Sequence, residues 1–371
     1  MYNIASTLLA LVFIVSFHSS DLQAQEYNLQ KVQEWTDKED LLGSPLGYRY
    51  LARYKNVEVY SSDNEMVLSK KLKGNEKVYS SPKGHFWGAA TFVDRSAQLL
   101  KVTEFSLYTP AGKLLYTLKD PGALKFILND NAANIVGIAG TEGLPQTTLK
   151  FYDESGNHIR DLEFANYLGG EFSADGNLFF ALSADSGLYA ISPKGEAVYN
   201  INVGKPYAIG NDGRLIMACN SGNLELYFQK NMTNSASLAL DDPWAVMLSA
   251  DNRLALVMSQ KKALCYSIPE LEILWEYELG DARDHFNSCD YSPELGLFAF
   301  GIALDNGPDY SFTDRYTEGR AEIVSPDGEI LGSGSVSYNS WSTGFPLVRF
   351  GNPDNSLWVI THYGLFKVPL N

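Results

Sequence analysis

Glu171-Phe172-Ser173-Ala174-Asp175-Gly176-Asn177-Leu178-Phe179-Phe180-Ala181-Leu182-Ser183 is the stretch on which the fold turns. A short run ends in the turn Ser173-Ala174-Asp175-Gly176, and a longer apolar run follows. The same order returns along nearly the whole chain. The turn reappears as Ser81-Pro82-Lys83-Gly84, Asn129-Asp130-Asn131, Gly210-Asn211-Asp212-Gly213, Ser249-Ala250-Asp251-Asn252, Ser292-Pro293-Glu294 and Asn352-Pro353-Asp354-Asn355. Taken at the third residue (83, 131, 175, 212, 251, 294, 354), successive copies stand 37 to 60 residues apart. Gly, Asp, Asn and Pro between short apolar runs are the chemistry of antiparallel hairpins.

Around the quoted stretch a whole unit can be read. After 178–183 come a short link, a third run at 188–192, a second turn at Pro193-Lys194-Gly195 and a fourth run at 197–203. The second turn also recurs, as Ser62-Asp63-Asn64, Thr109-Pro110-Ala111-Gly112, Asp153-Glu154-Ser155-Gly156 and Ser325-Pro326-Asp327-Gly328, with degenerate copies at Lys230-Asn231 and Pro269-Glu270. Four strands per unit at a period of about 40 to 50 residues is the pattern of β-propeller blades. Seven first turns and seven second turns predict an all-β, seven-bladed propeller of four-stranded blades. Its last blade is closed by strands from both ends, 57–60 and 66–72, with 48–54 as a possible strand before them, joining 347–350, 357–361 and 365–368. Eight blades is the alternative, if each terminal fragment makes its own sheet. Ring closure removes exposed sheet edges. Residues 25–45, with Glu34, Asp37, Lys38, Glu39 and Asp40 close together, read as a polar lead-in without an assigned fold, and 46–371 as one domain.

Composition agrees. The 371 residues are 45% hydrophobic and 13% aromatic, enough to build a core and suited to stacked pleated faces. The apolar stretch 8–17 followed by Leu22-Gln23-Ala24 predicts a signal peptide at 1–24, cleaved after Ala24, and hence a secreted or periplasmic protein. That stretch falls short of the ~20 residues that span a bilayer, so no membrane span is expected after cleavage. Cys219, Cys265 and Cys289 are far apart and odd in number, which implies neither a disulfide framework nor a zinc knuckle. A net charge of -15 argues against nucleic acid, which requires a positive footprint. A monomer is expected.

The turn spacing and the phrase Leu274-Trp275-Glu276-Tyr277-Glu278-Leu279-Gly280 resemble the Trp-Asp-repeat-like and quinoprotein-like propellers over roughly residues 48–371. The resemblance is architectural. No unit ends in a Trp-Asp pair, Gly84-His85 lies in a first turn, and Gly169-Gly170 is a single Gly pair where kelch propellers repeat one per blade. Ser173-Ala174-Asp175-Gly176 also lacks the spacing and Trp of a sialidase Asp-box. Such a superfamily hosts many functions and selects none.

Chemistry is expected where the repeat breaks. First and second turns share one face of a propeller, and the links within and between blades share the other. Both large departures, 281–287 and the insertion 304–320, fall on the link face in the unit marked by Glu294. They carry Asp281, Arg283, Asp284, His285, Asp305, Asn306, Asp309, Tyr310 and Arg315, and Trp341 and His362 are expected at the same rim. The leading expectation is a non-catalytic exported propeller that binds a protein or glycan partner there, with no required cofactor. A propeller-type hydrolase or lactonase would instead use Asp284 or His285 beside Ca²⁺ on Asp305 and Asp309. A quinone-dependent dehydrogenase is a third reading. The chain carries no nucleophile elbow, phosphate loop, dinucleotide fingerprint or paired C-x-x-C.

Overall fold

The computed structural model describes residues 25–26, 29–34, 40–43, 47–53, 55–95, 99–140, 143, 145–292, 294–307, 316–340, 346–351, 356–361 and 364–370. Among them are eight sheets, each built on a four-stranded antiparallel meander. In chain order the blades are residues 40–71 (blade 1), 76–119 (2), 125–165 (3), 167–201 (4), 207–237 (5), 245–278 (6), 284–340 (7) and 347–369 (8). Within each blade we name the strands A to D from the channel outward.

The expected seven blades are therefore corrected to eight. Strands 57–60 and 66–72 do not complete the last blade; they belong to blade 1, with Asp40–Gly43 and Arg49–Arg53 as its A and B strands. Between those two strands the sequence reads Ser44-Pro45, the same pair that begins Ser81-Pro82-Lys83-Gly84, and this match was missed. Seven second turns remain correct for eight blades, because the last blade has none. Its D strand is Gln30–Glu34, which pairs antiparallel with Gly364–Pro369. Gln25–Glu26 adds a fifth, parallel strand to blade 7 beside Ile330–Ser340. The lead-in thus feeds three sheets.

Each turn of the signature has a local reason. In blade 4, Ser173 Oγ donates to Asp175 Oδ1 (2.6 Å) and accepts from Leu178 N (3.1 Å), while Asn177 N donates to Asp175 Oδ1 (3.0 Å). Blade 6 repeats the arrangement with Ser249, Asp251 and Leu254. The fourth residue takes the left-handed conformation, Gly176 at φ 72° and Asn252 at φ 57°, which Gly and Asn adopt most readily.

These turns also join the blades. Tyr48 N donates to Lys83 O, Lys83 N to Asp130 Oδ1 (2.8 Å), Asn131 Nδ2 to Ala174 O (2.7 Å), Asp175 N to Asn211 O (3.0 Å) and Asn211 Nδ2 to Ala250 O (3.0 Å). Blades 1 to 6 are linked turn to turn.

Apolar side chains fill the spaces between neighbouring sheets. The B strand Phe179–Ser183 is buried at every position, as expected of an inner strand covered on both faces. Eight apolar clusters correspond to the eight blade interfaces. The one that closes the ring joins Leu51 of blade 1 to Trp358 and Leu365 of blade 8, with Val32 of the incoming N-terminal strand against them. Arg49 is fully buried there, 5.3 Å from the Trp358 ring, and burial lowers its pKa to about 10.

Candidate functional site

Asp281, Arg283, Asp284, His285, Asp305 and Asn306 do meet on the link face of blade 7. Its A strand, Asp284–Ser292, runs beside its B strand, Leu297–Asp305, with Asp284 opposite Leu304 and His285 opposite Ala303. Asp305 N donates to Arg283 O (2.8 Å), and His285 Nε2 lies 3.8 Å from Asp305 Oδ2. Asp281 accepts from Arg283 N (2.9 Å) and pairs with its guanidinium (3.1 Å). The hydrogen bond from the Arg283 side chain is the main reason the Asp281 carboxyl drops to about 2. Asp309, Tyr310, Arg315, Trp341 and His362 lie outside the described residues, as does the segment 1–24.

Asp284 is nearly fully buried, and its carboxylate receives Arg320 NH1 at 2.6 Å. Arg320 Nε reaches the buried Glu322 at 2.6 Å, and Glu322 in turn accepts from the Tyr277 hydroxyl of blade 6. Burial opposes charge on Arg320, but the hydrogen bonds and charges of Glu322 and Asp284 outweigh it and hold the guanidinium protonated. Lys261 Nζ donates to Ala282 O (2.6 Å) and Asp284 O. This network fastens the 279–284 link and the insertion's base to blade 6. Arg320 and Glu322 flank the insertion's return, and their i, i+2 spacing on one strand face was the available sequence signal.

Calcium takes about 6 to 8 oxygen ligands. Among the described residues no three His, Cys, Asp or Glu side chains gather where a metal could sit, and Asp284 is already engaged by Arg320. The described residues alone do not make a calcium site.

A second concavity was not anticipated. A cavity of about 600 Å³ lies in the channel, walled by the A strands of blades 2 to 6. Tyr79, Lys125, Glu171, Lys205, Tyr207 and Trp244 line it. Most of its wall comes from the first residues of A strands, at the end reached by the blade-to-blade links. It therefore opens toward the same face as the blade 7 rim. Glu171 is exposed in the channel, yet the surrounding wall raises its pKa; the hydrogen bond to Tyr207 and the charge of Lys205 act the other way. The Tyr207 hydroxyl is likewise pushed up, first by burial and then by Glu171. No motif flags this site, because each blade contributes only one or two of its polar and aromatic side chains.

The architecture has solved counterparts. The chain is similar to the C-terminal WD40 domain of Sif2, with a TM-score of 0.62 and 11% identity over 94% of this chain and 100% of that one. The Dos1 propeller gives 0.58 and 11% over 92% and 95%, and a eukaryotic initiation factor structure 0.52 and 11% over 86% and 90%. No family model matches the chain, and no curated protein matches its sequence.

Proposed function

Starting from a WD40-like propeller scaffold, we propose that the protein is an exported, non-catalytic module that holds a protein or glycan partner on its link face. The observation that carries this reading is the convergence of the two breaks in the repeat, 281–287 and 304–320, on an anchored base. The Asp284, Arg320, Glu322 and Tyr277 network holds that base rigid, and a loop presented from a rigid base loses less freedom on binding. Export rests on the signal pattern of residues 1–24.

The test replaces residues 306–315 by Asn-Gly. Asp305 and Tyr316 are paired across the two strands, so a two-residue turn closes them as a hairpin. The variant is expected to melt with the parent while losing the partner that crosslinks to the parent in the exported fraction. Equal capture by both proteins defeats the proposal.

His285 beside Asp305 keeps a second reading in play, a hydrolase assisted by Ca²⁺ at this rim. Calorimetric titration of the full mature chain decides it. Absence of heat at millimolar Ca²⁺ removes this reading.

A further inference from the structure

We propose that the channel cavity is a subsite for a neutral sugar ring, stacked on Trp244 and hydrogen-bonded by Glu171, Tyr207 and Lys205. This rests on the glycan half of the reading above.

Charge narrows the ligand. Lys125 and Lys205 line the cavity against a single carboxylate, Glu171, which is already hydrogen-bonded by Tyr207 and faced by Lys205. A cation entering here meets two ammonium groups, whereas an anion finds Lys205 already facing Glu171 and is repelled by that carboxylate. A neutral molecule rich in hydroxyls meets neither penalty. It also uses both kinds of group, because a carboxylate accepts and an ammonium donates to sugar hydroxyls with charge-assisted strength.

Shape points the same way. Trp244 is 41% exposed although it stands beside the innermost strand of blade 6, so a large aromatic surface is left open at the channel. Sugar rings have apolar C–H faces, and an aromatic ring covers such a face while the hydroxyl edges stay polar. Two blades away, blade 4 carries the one Gly-Gly pair of the chain. Its A strand shifts register between Tyr167 and Gly169, and Gly169 sits at φ 140°. A bulge of this kind redirects the strand, and a glycine leaves its wall bare. A Cβ at Gly169 would meet only Lys205 Nζ, at 3.8 Å. The cavity volume of about 600 Å³ falls within the ~300–1,000 Å³ usual for small-ligand sites.

Saturation-transfer NMR on the mature chain tests this with neutral trisaccharides of glucose, mannose, galactose, xylose and N-acetylglucosamine at millimolar concentration. At least one is expected to give a saturable signal. Trp244→Ala should weaken that binding about tenfold, the consequence of losing an aromatic stacking contact, and Trp244→Phe should restore part of it. Glu171→Ala should weaken it too, with all three variants folding as the parent does by near-ultraviolet circular dichroism. No signal from any of the five sugars overturns the proposal, as does binding unchanged in both Ala variants. The hairpin replacement at 306–315 separates the two readings. A parent that loses its partner on loop replacement but binds no sugar refutes the channel subsite alone.

Discussion

The two faces of the ring are built on different rules. On the turn face, short Ser, Asp, Asn and Gly turns recur from blade to blade and bond directly to one another, as Lys83 to Asp130 and Asn211 to Ala250 illustrate. On the link face the connections differ in length and composition, and the strands that flank the longest are joined by an ionic network around Arg320. The turn face repeats because every blade needs the same local geometry. The link face is released from that demand, which is where binding surfaces can diversify on a fixed scaffold.

Breaking the network should separate the faces most sharply. Arg320→Ala leaves Asp284 and Glu322 buried without their shared cation, and is expected to cost about 3 kcal/mol, the lower end for such pairs because Arg320 is itself partly exposed. Urea unfolding measures it. Hydrogen exchange should place the loosening in blades 6 and 7 while the turns of blades 2 to 5 stay protected. A uniform loss around the ring would contradict the division between faces.

On the turn face, Asn129 is buried and its amide bonds both Asn134 Oδ1 (2.9 Å) and Gly176 O (2.9 Å) of the next blade, while its carbonyl accepts from Asn131 N. Asn129→Ala is expected to cost about 2 kcal/mol, because buried partners are left unsatisfied. Partner capture through the link face should not change. Loss of capture with an unshifted urea midpoint would reverse the assignment of roles.

The smallest effect is at the channel. The folded pKa of Glu171 is raised, so its contribution to stability is complete below the unfolded value and is lost as pH rises through the folded value. Glu171→Gln removes that loss and keeps an acceptor for Tyr207. The variant should match the parent below about pH 4, the usual glutamate range, and exceed it progressively toward neutrality in thermal unfolding. A parent more stable than the variant at neutral pH would show that the carboxylate is stabilised by the wall instead.

Blade identity was legible because turn chemistry is local. Ser173 bonds its own neighbours, so the signature survives in the sequence whatever lies across the ring. The blade count failed inside the lead-in, where the strand Asp40–Gly43 is only four residues long and follows the charged run Glu34, Asp37, Lys38 and Glu39. A strand such as Gln30–Glu34 belongs to a blade only through its partner Gly364–Pro369, more than 300 residues away in sequence. The rim was legible in part. Insertions announce themselves as irregular spacing, and Asp284, His285 and Asp305 meet as expected, but the burial of Asp284 against Arg320 depends on the facing strand.

What the residues determined by themselves was a ring of small antiparallel sheets, an acidic surface and the segment at which the repeat is interrupted, because hairpin turns and apolar alternation act over a few positions. Tertiary structure alone decided the number of blades, the seam closed by an N-terminal strand and the channel that brings Glu171, Lys205, Tyr207 and Trp244 together. Those features arise from hydrogen bonds and packing between segments far apart in the chain, and such contacts leave no local periodicity to read.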